Sequence, residues 1–382
     1  MPRARGASPR TLAFVRRITP NTNANFGQTG VWTVDSAGDF IEECYLELQL
    51  SAITGAVNAS FKNDISTCIE SIRLFQGGTQ IEEVWRYDKG AFCNQALQSF
   101  EEYQAKTFTE NVQPLAARQA AAVAPQTFEI QIPSLLDTLS VPISLLEGNS
   151  LRMEITFKPL ANCVQFTAGV PVATVLAANL RCHYINADVK VMEKILVASK
   201  QAPVLFPFVD YGFTTQNIAT GSNSTRFLLS EFKGPVAYMG FMLREQRQVD
   251  DTTGNPAFEI SNTSPVTDWN LEDKGALVAN SPDNQPYLYN RGVVRVKEFK
   301  CYSDPATVGQ EFCVLHPFGV EAYRCITNED VTARGYYDFS MSQSANLLVN
   351  FPATAVALTL TAYQWAYNMM ILSNGRLTRF YS

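Results

Sequence analysis

The sequence predicts an all-β protein that contains two β-sandwich or β-barrel units in tandem. Residues 356–382 alternate apolar and polar side chains with a period of two, which is the pattern of a strand. Each half of the chain repeats short segments of this kind, separated by turns rich in Gly, Pro and Asn and by one long polar excursion. The length of 382 residues exceeds what one hydrophobic core normally organises, so two domains are expected.

The densest run of β-forming residues lies in residues 356–382. Apolar residues occupy alternate positions up to Ala362 and then change parity, so a bulge or two strands end to end are expected there. Asn374 and Gly375 can supply the two positive φ angles of a tight hairpin turn, which predicts a short return strand. An aromatic row in the long strand is expected to pack in a sandwich core rather than to stack on sugars or bases: Tyr363, Trp365 and Tyr367.

The two predicted domains span residues 29–200 and 201–382, and the candidate linker is residues 200–203. Residues 88–126 and 246–285 lack a sustained strand pattern and are polar or rich in Ala and Gln. Connections of this length are usually functional. We therefore expect both to be long excursion loops, with a few short helices in the first.

The composition indicates a surface that is partly buried against other copies of the chain. Hydrophobic residues make up 46% of the chain and charged residues only 17%, whereas about 25% charged residues is usual in a soluble protein. No apolar run is long enough to span a membrane, and residues 1–17 lack the apolar region of a secretory signal. The eight cysteines are scattered without CxxC pairs, so they are expected to be buried free thiols.

The first residues of the chain are strongly basic, and the first acidic residue is Asp35. Residues 1–28 are therefore predicted to form a basic N-terminal arm that contacts phosphate, from nucleic acid or from lipid head groups. A solvated, disordered tail is the alternative interpretation. Removing five arginines from the formal net charge of −6 leaves −11 for the rest of the chain; they are Arg3, Arg5, Arg10, Arg16 and Arg17.

Few residues in the sequence suit catalysis or metal binding. His183 and His316 are the only histidines, and each lies in a partly apolar, strand-like run that is typical of a core or loop position. No G-x-S-x-G, phosphate-binding or dinucleotide-binding motif occurs, so neither enzyme activity nor a cofactor is expected. Cys313, His316 and Cys325 form a loose trio without the paired spacing of a structural zinc site, so no metal is expected.

Four passages of the sequence, in this order, resemble passages of one protein family. They are residues 69–90 (IESIRLFQGGTQIEEVWRYDKG), 128–157 (with IPSLLD and VPISLLEGNSLRMEITF), 232–243 (FKGPVAYMGFML), and 335–341 followed by 362–382. They are similar to the Gly-Gly hairpin, the middle strands and the closing hairpin of double jelly-roll major capsid proteins. These proteins build tailless icosahedral DNA viruses, such as tailless bacteriophages, adenovirus, virophages and large eukaryotic DNA viruses.

The resemblance implies two tandem jelly-roll sandwiches with long excursion loops and a few short helices. It also implies a viral major capsid protein whose chains form homotrimers. Each trimer would be a pseudo-hexameric capsomer, and capsomers would tile an icosahedral shell that encloses the genome, in some members over an internal membrane. The two long excursions would supply tower loops or clasps between subunits.

The partners that the resemblance implies are further copies of the chain, neighbouring capsomers, and penton and minor capsid or cement proteins. The basic arm would face inward, towards an internal membrane or the genome. The protein would be located in the capsid shell of the virion, after synthesis inside the host cell without a secretory signal.

Two other functions fit an all-β chain with two domains. A carbohydrate- or receptor-binding protein, such as a spike or a lectin-like protein, would need exposed aromatic residues in its loops. Residues 246–285 contain only two aromatic residues, Phe258 and Trp269. A β-sandwich hydrolase is disfavoured because no triad motif is present.

Overall fold

The computed structural model describes residues 12–62, 65–86, 115–132, 141–148, 150–245, 266–280, 313–318, 335–342, 344–353 and 357–380. Most of the described residues lie in β-strands, and they include two α-helices. The prediction of an all-β protein is confirmed.

The first unit contains two four-stranded antiparallel sheets. One sheet has the order β1-β12-β3-β8 and the other has the order β2-β9-β6-β7, while β4 pairs with β11 and β5 with β10 in two short ribbons. The elements are β1 (Leu12–Ile18), β2 (Thr29–Asp35), β3 (Phe40–Leu50), β4 (Thr54–Val57), β5 (Ser60–Phe61), β6 (Ile69–Gln76), β7 (Thr79–Arg86), α1 (Leu115–Ala121), β8 (Gln126–Gln131), β9 (Ser150–Phe157), β10 (Val164–Gln165), β11 (Ala168–Val172) and β12 (Val175–Asn186).

The second unit follows a connecting helix and again contains two sheets. The larger sheet has the order β13-β21-β15-β18, with β19 and β22 added to β15 and β21, and the smaller sheet has the order β14-β20-β16-β17. The elements are α2 (Val189–Gln201), β13 (Val204–Ile218), β14 (Ser224–Leu228), β15 (Pro235–Glu245), β16 (Asp268–Asp273), β17 (Ala276–Asn280), β18 (Cys313–Pro317), β19 (Tyr337–Asp338), β20 (Asn346–Asn350), β21 (Leu358–Ser373) and β22 (Arg376–Arg379).

The two units have the same strand connectivity. When the eight main strands of each unit are numbered along the chain, one sheet has the order first, eighth, third, sixth, and the other has the order second, seventh, fourth, fifth. Eight strands that are connected in this way and packed as two four-stranded sheets form a jelly roll. The fold is therefore a double jelly roll, as the sequence and its resemblance predict.

Each sandwich has its own hydrophobic core, as the alternating pattern of its strands requires. In β3, Leu46 and Leu48 are fully buried while Glu47 between them faces outward. Trp32 lies in the core of the first sandwich, and Trp269 lies in the core of the second. Burial of a large apolar side chain contributes about 1.5–3 kcal/mol, so the register of each strand is fixed by which face carries these residues.

The predicted basic arm of residues 1–28 is wrong for its described part, residues 12–28. Strand β1 spans Leu12–Ile18 and pairs with β12 as an edge strand of the first sandwich, so Arg16 and Arg17 belong to the sandwich. Residues 1–11, with Arg3, Arg5 and Arg10, lie outside the described residues. An edge strand leaves most of its side chains exposed, so its sequence is similar to that of a solvated arm.

The first two residues of the linker predicted at residues 200–203 end helix α2, which spans Val189–Gln201 and so starts eleven residues before that linker. The side chain of Asp188 caps this helix by accepting a hydrogen bond of 2.9 Å from the backbone N–H of Lys190. Val189 and Val191 continue the alternation of β12, so the local pattern favours strand, but the cap at Asp188 starts a helix on which both valines are exposed.

Described secondary structure lies inside both predicted excursions: a short helix in the first, as expected, and two strands in the second. Helix α1 and the start of β8 occupy residues 115–126, and residues 88–114 lie outside the described part. Strands β16 and β17 lie inside the second predicted excursion, because Trp269 and Leu271 alternate with polar residues and face the core. Trp269 is fully buried, so its ring is not available to stack on a sugar.

Strand β21 is continuous, so the bulge or break predicted near Ala362 is wrong. It pairs with β13 from Leu358↔Ile218 to Leu372↔Val204 without a shift of register. The apolar positions change parity because both faces of β21 are buried. Ala362 belongs to the second core, whereas Tyr363 and Trp365 are buried on the opposite face, outside that core and beside Phe213.

Candidate functional site

The C-terminal hairpin, β21 and β22, joins the two sandwiches. Leu358 and Leu360 at the start of β21 belong to the core of the second sandwich. Farther along the hairpin, Met370, Leu372 and Leu377 are buried in the core of the first sandwich. One pair of strands therefore contributes to both cores. We call the contact between this hairpin and the first sandwich the junction.

The turn of the hairpin is held by residues of the first sandwich. The carbonyl oxygen of Gly375 accepts hydrogen bonds from the side-chain amide of Gln76, at 2.5 Å, and from the backbone N–H of Glu147, at 2.7 Å. The backbone N–H of Leu377 donates to Gln76 Oε1 at 2.9 Å. The amide of Gln76 thus satisfies backbone groups on both sides of the turn, which fixes the hairpin in place.

The turn itself requires the residues that the sequence predicted. Asn374 and Gly375 have φ angles of 50° and 78°, as a tight hairpin turn of this type needs. A Cβ atom on Gly375 would lie 2.9 Å from the backbone nitrogen of Glu147 and 3.1 Å from the carbonyl oxygen of Leu145. The close approach to the first sandwich therefore also depends on glycine.

Arg379 on β22 provides the ionic part of the junction. Its guanidinium donates to both carboxylate oxygens of Asp210 on β13, at 3.1 and 3.3 Å. It also lies 3.8 Å from the carboxylate of Glu82 on β7, whose side chain is only 4% exposed. Arg379 thus places one positive charge between a carboxylate of each sandwich.

A second ion pair of the junction is exposed to solvent. Arg376 Nε donates to Glu147 Oε2 at 2.6 Å, and the two side chains are 72% and 57% exposed. The hydrogen bond from Arg376 lowers the pKa of the Glu147 carboxyl below its usual value. An exposed pair contributes little to stability because water and salt screen it.

The arginines predicted to contact phosphate are separated by the structure. Arg16 forms an ion pair with Asp35 at 3.1 Å, and Arg17 forms one with Glu47 at 2.8 Å. Both partners lie in the first sandwich, so these two guanidinium groups are already paired with carboxylates. The other three, Arg3, Arg5 and Arg10, are outside the described residues.

The two histidines lie in different sandwiches. His183 Nδ1 on β12 is 3.5 Å from Glu43 Oε2 on β3, and Tyr45 donates to the same carboxylate oxygen at 3.1 Å. His316 on β18 packs against the rings of Trp269 and Phe318, and its burial lowers its pKa to about 4.

In the described part of the chain, neither clustered metal-ligating side chains nor a long apolar helix is found. Its residues contain no cluster of three or more His, Cys, Asp or Glu that could hold a metal ion. The side chain of Cys313 and all of Cys325 are outside the description, so the loose trio with His316 is untested. No helix of the described part is both long and apolar enough to cross a membrane.

Four cysteines of the first sandwich are buried free thiols in two neighbouring pairs. The sulfur atoms of Cys44 and Cys182 lie 3.2 Å apart on adjacent strands. The other pair, Cys68 and Cys163, lies near the buried side chain of Lys62, and burial lowers the pKa of this lysine to about 8. The sequence predicted buried thiols but gave no signal for Lys62, whose burial depends on residues distant along the chain.

Comparison with known proteins identifies the family. A family profile described as "Major capsid protein N-terminus" matches residues 11–213, which include the whole first sandwich, helix α2 and most of β13. The match covers more than half of the 382 residues. The chain belongs to this major capsid protein family. It is therefore a viral capsid protein, and its place is the capsid of the virion.

Solved structures similar to this chain extend the comparison to the second sandwich. The quasi-atomic model of the PBCV-1 virus capsid is 14% identical, with a TM-score of 0.70 and 97% of each chain covered. The Faustovirus major capsid protein is 10% identical, with a TM-score of 0.72, and 95% of this chain and 91% of that chain are covered.

A capsid structure of Sulfolobus Turreted Icosahedral Virus is 11% identical, with a TM-score of 0.53, and 93% of this chain and 90% of that chain are covered. Identities this low show the fold alone. No curated protein sequence matches the chain.

Proposed function

We propose that three copies of this capsid protein associate into a pseudo-hexameric capsomer, and that capsomers tile an icosahedral shell around the genome. The observation that carries the proposal is the shared connectivity of the two sandwiches. Three chains with two similar sandwiches each present six similar blocks around a threefold axis. Such a ring fits positions of sixfold symmetry in a closed shell.

The junction supports this proposal because a shell needs rigid blocks. The hairpin contributes side chains to both cores, and Gln76 and Arg379 hold it by hydrogen bonds and ion pairs. Two sandwiches fixed in this way act as one block, so a force on one sandwich is transmitted to the other rather than absorbed by a hinge.

The surface of the chain also supports self-association. Only 17% of the residues are charged, and obligate interfaces of about 2,000 Å² or more are relatively apolar. Neighbouring capsomers, penton proteins and minor or cement proteins would cover the remaining apolar surface. We assign the protein an architectural role without catalysis.

For the basic segment we propose an inward position in the shell. Leu12 at the start of β1 is paired with Asn186 at the end of β12, just before helix α2. Leu12, to which the segment of residues 1–11 is joined, therefore lies at the α2 end of the first sandwich. Arg3, Arg5 and Arg10 in this segment would contact phosphate, either of the genome or of the head groups of an internal membrane.

The mass of the purified protein in solution tests the proposal. Sedimentation velocity and light scattering are expected to give about three times the chain mass of 42.4 kDa, and electron microscopy should show particles with a threefold axis and six lobes. A protein that stays monomeric at micromolar concentration would contradict the proposed capsomer.

Deletion of residues 1–11 tests the position of the basic segment. This deletion leaves β1 intact, since that strand begins at Leu12. We expect the shortened protein to form normal trimers but to lose binding to DNA or to anionic vesicles. The triple substitution of Arg3, Arg5 and Arg10 by Ala should have the same effect. Unchanged binding would show that the segment has another role.

A further inference from the structure

One end of the first sandwich is built from three segments without charged residues. No Asp, Glu, Lys or Arg occurs in residues 51–61, 119–128 or 159–180. The last of these segments contains β10, β11 and the first half of β12. In a chain with 66 charged residues of 382 (30 basic and 36 acidic), long uncharged segments that also meet in space are unusual.

Backbone hydrogen bonds bring the three segments together. The backbone N–H of Ser51 donates to the carbonyl oxygen of Thr174 at 2.9 Å, and that of Thr167 donates to Val57 at 3.0 Å. The backbone N–H of Ile53 donates to the carbonyl oxygen of Ala122 at 2.9 Å. We call the surface formed by residues 51–61, 119–128 and 159–180 the uncharged end.

The uncharged end exposes several large apolar side chains. Their exposed fractions lie between 52% and 77%, and the residues are Val57, Val123, Val170, Val172 and Leu176. The ribbon that carries three of them is compact, since a Cβ on Gly55 would lie 2.5 Å from the carbonyl oxygen of Val170. A group of exposed apolar residues on a rigid support is typical of a protein interface.

We propose that the uncharged end is a contact surface between two copies of this chain, and this rests on the self-association proposed above. The chain carries a net charge of −6, so copies of it repel each other wherever their acidic surfaces meet. The uncharged end presents no charges to a neighbour, and the centres of protein interfaces are depleted in charge. The three segments of the uncharged end carry none of the positive charges that would attract a nucleic acid or an anionic membrane.

The contact is made by side chains rather than by an added strand. Pro171 lies within β11 and has no N–H to donate, so it interrupts the row of donors that a further strand would need. The register of β11 with β4 also shifts between Gly169 and Val172. Both features disfavour the addition of a strand at the β11 edge, and the exposed valines remain as the side chains that make the contact.

Charge introduced at this surface tests the proposal. The double variant V123K/V170K replaces the two most exposed apolar residues of the uncharged end, and as a pair of surface substitutions it should melt within a few degrees of the wild type. We expect its dissociation constant for self-association to rise at least tenfold in sedimentation velocity and light scattering. The milder variant V123S/V170S should shift the equilibrium in the same direction by a smaller factor.

A matched control places the same two charges elsewhere. L205K/L277K changes two residues of the second sandwich that are 53% and 58% exposed, and it should associate as the wild type does. The proposal is overturned if V123K/V170K still associates normally, because the uncharged end would then lie outside the contact between copies. It is also overturned if both lysine variants dissociate equally, because the effect would then reflect added charge alone.

Failure of the underlying function looks different from failure of this inference. A wild-type protein that never associates would refute self-association itself. A wild type that associates together with an unaffected V123K/V170K variant would refute only the assignment of the surface.

Discussion

The side chain of Gln76 accepts a hydrogen bond of 2.9 Å from the backbone N–H of Leu377, which follows it by 301 residues in the chain. Gln76 ends β6 of the first sandwich, and Leu377 lies in β22, which continues the sheet of the second. Both residues are buried. The bond therefore lies inside the contact between the sandwiches, where water cannot replace it.

Substitution of Gln76 by Ala should weaken the junction. The change leaves the buried N–H of Leu377 without its acceptor, and an unsatisfied buried donor costs about 1–3 kcal/mol. We expect the melting temperature in calorimetry to fall by several degrees. Gln80 is an exposed glutamine on the other side of the Gly77-Gly78 turn from Gln76. The variant Q80A should therefore melt like the wild type. Equal melting of the two variants would show that the hydrogen bond does not contribute.

Arg379 and Arg376 offer a comparison of two ion pairs on one short strand. R379A removes the positive charge between Asp210 and the nearly buried Glu82, and loss of a charge-assisted partner there should cost about 2–3 kcal/mol. R376A removes only an exposed pair, so it should not change the denaturant midpoint measurably. The opposite ranking in urea unfolding would refute our description of the junction.

Gly375 is expected to tolerate no side chain. G375A puts a non-glycine residue at a φ of 78° and brings its Cβ against the backbone of Glu147, and strain of this kind costs about 1–3 kcal/mol. N374G, next to it, relaxes a positive φ and should leave stability within about 0.5 kcal/mol of the wild type. Thermal melts of the two variants check this, and a stable G375A would mean that the turn can shift away from the first sandwich.

Acid should destabilise the second sandwich through His316. Its pKa falls from an unfolded value of about 6.5 to about 4 on burial. The unfolded chain therefore binds a proton between these values that the folded chain excludes. The neutral, buried His316 therefore contributes to the free energy of unfolding, and this contribution is complete above pH 6.5. As the pH falls towards 4, the free energy of unfolding decreases by about 2–3 kcal/mol.

Unfolding free energies of the wild type and H316F at pH 7.0 and 4.5 measure this effect. The variant should lose less stability between the two values. Carboxyl groups with a lowered pKa, such as Asp273 with its hydrogen bond from Ser342, destabilise both proteins equally when they are protonated. The difference between the two losses of unfolding free energy is therefore due to the histidine. An identical loss in the two proteins would exclude His316 as the cause.

The strands were predictable because their signal is local. The alternation of Leu46 and Leu48 with polar residues, and the turns at Gly77 and at Asn374-Gly375, specify strand and hairpin without knowledge of the rest of the chain. The repetition of this pattern in both halves of the sequence was enough to predict two sandwiches.

The remaining features depend on contacts that no local pattern records. Val189 and Val191 favour strand by themselves, but they form a helix that begins at the cap of Asp188. Arg16 and Arg17 suggested a free arm, whereas their strand is fixed by its register with β12. The junction depends on Gln76 and Arg379, and neither has a neighbour in sequence that indicates its partner.

The placement of Met370, Leu372 and Leu377 in the core of the first sandwich has a consequence for synthesis. A nascent chain that has been synthesised only up to residue 369 contains every strand of the first sandwich but lacks three side chains of its core. The first half cannot complete its folding until translation of the second half is nearly finished. Chains released before this point would expose apolar core residues to chaperones and proteases. Growing shells would therefore receive mainly chains that had been synthesised to the end of the C-terminal hairpin.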